Sequence, residues 1–403
     1  MSRIEQVKAY EGRDLETIFF RPMLTGPDAA ALGIKAMYNV PVPTTLHFWK
    51  RSGDVLQRYE HAGWKGGPAA SRYQKTVRLE KVKAEASYTA EDYFSLVYEL
   101  VTNRPDVNLD DLTGTELEAA ETSLFRQAVA ESIRVTMWLG DRGRAAGPYN
   151  TFDGFLRRIT ADAAEAPQEF AAMLYERPAV QADALLQSLW DSAPEELRQS
   201  RGQGSLAYLV TSDIYAAYEN NLDAQQAEAA YFARQEGYDS LSYKGIPITD
   251  TGGSPYLEGL PDMPRSFALL TDRRNLALAV NTRDFPGTEV RMWYNPDLME
   301  NRQRAIFMAG CDYLLPEMLC VGFGRPTVTA TLSGTAVTAA AVDGGCLVKG
   351  IAAQALGADG AAVGEPAALT RTAGGWSGTL GGSAPAGARL TVDCVGGSYE
   401  LVI

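Results

Sequence analysis

Residues 46–86 cannot build a core of their own, and this limits the fold more than any motif does. Leu46–Lys50 and Val55–Tyr59 are short runs of alternating apolar and polar residues, joined through Arg51-Ser-Gly-Asp54, a hairpin signal. A glycine-rich tip follows, Gly63-Trp-Lys-Gly-Gly-Pro68. Tyr73–Ala86 then alternates imperfectly. Val77 and Leu79 fall on one face and Val82, Ala84 and Ala86 on the other, so the slip near Glu80-Lys81 reads as a bulge. A long ribbon that is polar on both sides must protrude and dock elsewhere.

Charge sharpens the point. Between Lys50 and Lys83 there are nine Lys or Arg against three Asp or Glu, so this window is about +6 in a chain of net charge −13, and the remainder is about −19. Such separation predicts that the ribbon lies on an acidic partner, another copy of the chain included. Taken alone, the charge better fits a solvated basic loop. The overall acidity argues against a general nucleic-acid binder, because phosphate contacts need Lys and Arg.

The rest of the 403 residues suggests two or three domains, with 46% hydrophobic and 22% charged residues, as in an ordinary folded protein. Met1–Glu16 is charged and lacks the apolar region of a signal peptide, and no run of about 18 apolar residues occurs. Folding in the cytoplasm is expected. The four cysteines (Cys311, Cys320, Cys346 and Cys394) form no CxxC pair or zinc-type group, so free buried thiols are expected, with Cys346 and Cys394 in strands near each other.

Residues 1–45 read as an extended arm, because Arg21-Pro22, Thr25-Gly26-Pro27 and Val40-Pro41-Val42-Pro43 prevent a long helix. Its apolar residues would be buried on the body or on a neighbour. Residues 88–101 open with Thr89-Ala-Glu-Asp92 and continue as a capped amphipathic helix. Thr113-Gly-Thr-Glu116 starts a second helix of about 25 residues, whose apolar spacing of three and four lasts to Trp138 before Gly140 stops it. At 1.5 Å per residue it would run roughly 37 Å, enough to act as the spine of a domain.

Residues 150–290 mix helices and strands. Helices are expected at Asp183–Trp190, after Ser192-Ala-Pro-Glu195, and from Ser212. Strands are expected at Leu206–Val210, Ser240–Ile248, Ser266–Thr271 and Asn275–Val280. Glu289–Tyr294 and Arg304–Phe323, the latter broken at Pro316, are two more strands, returning late to pair beside the long helix. The fold class is therefore α+β. Beyond Arg325 the composition changes to fifteen Gly with many Ala and Thr. Short alternating runs at Thr327–Leu332, Cys346–Lys349, Leu369–Arg371, Leu390–Cys394 and Tyr399–Ile403 suggest a small β-sandwich of immunoglobulin type.

Catalytic signatures are missing from this reading. The two histidines, His47 and His61, both lie in the ribbon, a poor place for a supported Ser-His-Asp or Cys-His site. Gly202-x-Gly204-x-x-Ala207 precedes a strand instead of opening a helix, so it is not a dinucleotide fingerprint. Asp110-Asp111 and Glu195-Glu196 sit at helix starts, where the dipole favours negative charge. No catalytic residue, metal site or cofactor is predicted.

The order of arm, basic ribbon, helix, long helix, α+β domain and returning strands resembles the major capsid proteins of tailed phages, the Hong Kong 97-type fold. Local stretches are also similar to that family. Leu124-Phe-Arg-Gln-Ala-Val-Ala-Glu131 with Trp138-Leu-Gly-Asp141 resembles its spine helix and exit. Tyr238–Pro247 resembles an axial-domain strand, and Leu269–Leu276 the segment after it. Asn301–Leu319, with Gly310 and Asp312-Tyr313, resembles the final peripheral strands.

The resemblance covers residues 1–323. It implies an N-terminal arm (1–45), an extended β-loop (46–86), a peripheral domain with a spine helix (87–149 and 288–323) and an axial domain (150–287). An added immunoglobulin-like domain (324–403) would sit on the outer surface. It also implies a structural protein, not an enzyme, assembling into hexamers and pentamers of an icosahedral virion shell in the host cytoplasm. The partners implied are a separate scaffolding protein, a portal and packaged double-stranded DNA bound without sequence specificity, and no membrane. Arg58, Trp64, Lys65, Arg72, Tyr73, Lys75 and Arg78 would contact the neighbouring subunit. Three other readings remain: an encapsulin-like nanocompartment shell, a surface or carbohydrate-binding protein built around the C-terminal module, and an enzyme whose site in the α+β domain would be a cleft collecting titratable residues with shifted pKa values.

Overall fold

The apolar spacing after Thr113 does produce one long helix, α1 (Glu116–Leu139). Val129, Ile133 and Met137, spaced by four, are buried, and from Val135 to Leu139 every residue is covered. The computed structural model describes residues 8–10, 29–39, 44–51, 70–89, 116–177, 181–224, 241–257, 259–281, 289–372, 374–381 and 385–403. The helix expected over 88–101 lies mostly outside them, but Tyr88 and Thr89 end a strand instead of opening a helix.

Before α1 come the strands β1 (Lys8–Tyr10), β2 (Lys35–Tyr38), β3 (Thr44–Arg51), β4 (Ala70–Val77) and β5 (Glu80–Thr89). After it come α2 (Phe155–Glu165), β6 (Ala171–Tyr175), α3 (Ala182–Ser192), α4 (Glu195–Gln199), β7 (Leu206–Val210) and α5 (Ser212–Ala224). Next are β8 (Ser242–Tyr243), β9 (Ile246–Asp250), α6 (Ser254–Leu257), β10 (Phe267–Asp272) and β11 (Leu276–Asn281). β12 (Glu289–Asn295), β13 (Glu300–Tyr313) and β14 (Leu319–Gly324) complete the body.

Two mixed sheets organise these elements, which makes the body α+β. In the first, β13 is the axis. β12 and β11 pair successive stretches of it, β5 pairs Glu300–Ala309, and β1 and β2 flank β12 and β11. The arm is therefore woven into the body wherever it is described: β1 joins β12, β2 runs parallel to β11, and Ala29, Leu32 and Ile34 enter the main core. The second sheet has the order β6-β14-β10-β7-β9-β8. Its central strands are covered on both faces, which explains their unbroken apolar runs. Ala207 and Leu209 face the main core beside α1 and α2, while Leu206, Tyr208 and Val210 face a second core with α3 and α5.

Sequence grouping placed some elements with the wrong partners. Leu276–Asn281, grouped with 150–287, pairs in the first sheet, and Leu319–Gly324, grouped with 288–323, lies in the second. Ser240–Ile248 is a hairpin and not one strand, turning through Lys244 and Gly245 at φ +50° and +75°. Pattern alone cannot assign a strand to one of two sheets.

The C-terminal segment carries β15 (Val328–Ser333), β16 (Ala336–Ala341), β17 (Val348–Leu356), β18 (Ala362–Ala368), β19 (Thr370–Thr372), β20 (Gly375–Thr379), β21 (Gly387–Cys394) and β22 (Gly397–Val402). They form two four-stranded sheets, β15-β16-β20-β19 and β18-β17-β21-β22. One apolar cluster containing Val337, Ile351, Trp376, Leu390 and Tyr399 is drawn from both. No described helix is long and apolar enough to cross a membrane.

Candidate assembly surface

β3 and β4 pair with each other in register from Thr44↔Val77 to Arg51↔Ala70, and among the described residues with no other strand. The chain then passes through Arg78 and Leu79 into β5, which belongs to the first sheet. At its β4 end the ribbon is thus joined to the first sheet by a two-residue link, and the contacts at that link are tight.

Alternation along β4 turns Lys75 and Val77 towards the body and leaves Gln74, Thr76 and Arg78 exposed. Val77 and Leu79 pack on Ala279 and Met308 with Met37 beside them, a small apolar cluster separate from the main core. Beneath the link the backbones almost touch. A Cβ on Gly310 would lie 2.2 Å from the Arg78 carbonyl oxygen, so only glycine fits under the crossing.

Lys75 is also committed here. Its ammonium lies 3.0 Å from Asp312 and 3.5 Å from the Tyr313 ring centroid. Asp312, at 2% exposure, receives a second cation, Arg158 of α2, at 3.2 Å. Burial pushes the Asp312 carboxyl above its ordinary value, while Lys75 and Arg158 pull it down. The Tyr313 hydroxyl donates to Asp162, and its ring meets Phe170 edge to face at 5.8 Å. Burial and the Asp162 carboxylate keep that hydroxyl protonated far above its ordinary range. Close by, Glu80 at the start of β5 pairs with Arg142 at 2.6 Å.

A cleft of about 550 Å³ opens beside this cluster, lined by Asp141, Arg142, Asp153, Arg157, Arg158 and Asp162. Its charges already have partners. Arg142 holds Glu80, Arg157 lies 3.5 Å from Asp141, Arg158 holds Asp312, and Asp153 accepts from the Arg142 amide. Such an arrangement fastens elements together and leaves no free acid–base pair poised for proton transfer. Among the described residues no group of His, Cys, Asp and Glu could hold a metal ion.

The residues expected to contact a neighbour divide as follows. Arg58, Trp64 and Lys65 lie outside the described residues. Arg72 and Tyr73 are in β4, opposite Trp49 and Phe48. Arg78 is exposed at the link. Lys75 departs from expectation, because its charge is spent on Asp312 of its own chain. The dock for Lys75 was missed in the sequence, although one signal was present. Asp312 is the lone acid in the apolar run that leads to Pro316, and a carboxylate in such a strand requires a buried partner.

No protein-family model matches the sequence, and no curated protein matches it. Among solved structures, the chain is similar to one from a satellite phage P4 procapsid that includes the size-determination protein. It is 12% identical over 75% of this chain and 96% of that one, at a TM-score of 0.45. It is also similar to a chain of the capsid of Myoviridae phage XM1, at 13% identity, 73% and 91% coverage and a TM-score of 0.40. A third is from the capsid of an empty GTA particle, at 12% identity, 80% and 95% coverage and a TM-score of 0.42. Each of the three is a capsid or procapsid.

Proposed function

We propose that this chain is the repeating shell subunit of an icosahedral, tailed-phage-type virion capsid, with the Hong Kong 97-type fold and a C-terminal immunoglobulin-type β-sandwich. One observation carries the reading. A basic two-stranded ribbon without a core stands on a tightly fitted root, and it bonds to no other strand among the described residues. The chain supplies its polar backbone and basic side chains as a surface for another molecule, and a second copy has the acidic charge to receive it.

In this reading the extended loop ends at the Arg78-Leu79 link, short of the 46–86 span expected from the sequence, because β5 pairs with β13 in the first sheet, and that sheet with α1 forms the peripheral domain. The second sheet with α3 and α5 forms the axial domain. Arg58, Trp64, Lys65, Arg72, Tyr73 and Arg78 are the proposed contacts to the next subunit. Copies close into hexamers and pentamers through heterologous contacts. Exposed ion pairs contribute only about 0–1 kcal/mol each, so apolar burial supplies most of the cohesion. A separate scaffolding protein, a portal and packaged double-stranded DNA are the proposed partners.

The test is negative-stain microscopy with mass photometry of the chain expressed alone and with a candidate scaffolding protein. Closed shells, or rings of five and six, are expected. A stable monomer under both conditions overturns the reading.

A further inference from the structure

The C-terminal segment is joined to the body by more than a linker. Three consecutive amides after β16, those of Gly344, Gly345 and Cys346, donate to the carbonyls of Met263, Pro261 and Asp262 at 3.0, 3.2 and 2.8 Å. The preceding residue, Asp343, is 3% exposed. Its carboxylate pairs with Arg177 at 2.9 Å and lies 3.6 Å from Arg265. Arg177 follows β6 and Arg265 precedes β10, so both belong to the body.

The cores are shared as well. Leu347 and Val395, from the C-terminal segment, are fully buried in the main core of the body, with Cys346 packed against it. Leu174 of β6 packs against the core of the segment in return. At Gly396, with φ +93°, an added Cβ would lie 2.8 Å from the backbone of Met173. Interfaces between independent domains are more polar than cores and permit relative motion. This junction has buried apolar residues, matched backbone groups and a buried carboxylate held by two arginines, features closer to a domain interior than to such an interface.

We propose that residues 325–403 are a closing piece of the body, and that the body reaches its stable native form only when they are in place. Without them the carbonyls of residues 261–263 lose their donors, Arg177 and Arg265 lose their acid, and the main core loses part of its cover. A subunit then becomes competent for assembly only after the chain has been made through β21 and β22. That last consequence rests on the shell reading, whereas the coupling of the two parts does not.

The test uses the full chain with Trp376→Ala, a change in the segment's own core, and follows hydrogen exchange at β7, β10, β17 and β21. Exchange is expected to quicken on the order of tenfold or more at β7 and β10 together with β17 and β21. A single unfolding transition is expected to persist. Quickening confined to 325–403, with a separate transition for the body, overturns the proposal.

Asp343→Asn is the milder companion should Trp376→Ala fail to fold. It is expected to lower one common transition, and a body transition that stays fixed while the segment's moves overturns the coupling. Particle formation is scored in parallel. If coupling holds but no variant or wild-type chain ever forms shells, the shell reading has failed and the closing-piece proposal stands.

Discussion

Lys75 and Asp312 are an unequal pair. They sit 3.0 Å apart, but the lysine side chain keeps 28% of its surface in water while the aspartate keeps 3%. Freed lysine can reach solvent, whereas an abandoned carboxylate stays buried with Arg158 alone. Lys75→Met is therefore expected to cost about 1–3 kcal/mol, and Asp312→Asn distinctly less. Denaturant unfolding of both variants checks the order, and an equal or reversed ranking would show that the pair is not held as described.

Gly310→Ala places a methyl where the Arg78 carbonyl lies. The ribbon root must shift, at a cost of roughly 1–3 kcal/mol. Hydrogen exchange should localise the damage to β4, β5 and β13. Wild-type stability and protection in this variant would mean the crossing is looser than described.

Trp138 closes α1 onto the body, 1% exposed, with ring contacts to Phe155 at 5.4 Å and Phe267 at 5.6 Å. Trp138→Ala is expected to lose about 3–5 kcal/mol. Its indole N–H has no acceptor among the described residues. Trp138→Phe should thus cost much less, which thermal unfolding can resolve.

Acid should weaken the fold partly through Glu131 and Asp272. Hydrogen bonds from Arg134, opposed by burial and aided by Tyr256, hold the Glu131 carboxyl below its ordinary 4.5. For Asp272, burial pushes upward but the bonds from Arg274 and Ser205 outweigh it, and the carboxyl stays below 3.8. Both contributions are complete above those unfolded-state values and fade as pH falls through the folded ones. Melting temperature followed downward from pH 6 should drop less steeply in Glu131→Gln than in the wild type. Parallel curves would remove Glu131 from the account.

The thiols should be inert while the chain is folded. All four are free, and burial pushes Cys320, Cys346 and Cys394 up to about 12 and Cys311 up as well. Iodoacetamide at pH 8 is expected to label none of them within the time that labels the urea-unfolded chain completely, because only the thiolate reacts. Rapid labelling of native Cys311, Cys320 or Cys394, the three buried residues, read by mass, would contradict this burial.

Elements with local signals were readable in advance. The capping pattern near Thr113 and the spacing to Trp138 led to α1, and the apolar runs at 206–210 and 266–271 became β7 and β10. α2 carried no start signal, since its N-cap is Gly154 with no side-chain cap. β16, β18 and β20 are too rich in Ala and Gly to alternate visibly. The dock of Lys75 was hidden for another reason. Its partner is more than two hundred residues away, and no periodicity encodes a distant ion pair.

The joint between β5 and β13 has a mechanical consequence. Ten residue pairs run from Thr89↔Glu300 to Glu80↔Ala309, and the ribbon is attached at the Glu80 end. Ladder hydrogen bonds lie across the strands. A tug along β5 would load every rung at once instead of peeling them one by one. A pull on the ribbon would then be resisted by the whole seam together, and the ribbon would leave the body only when the entire ladder gives way.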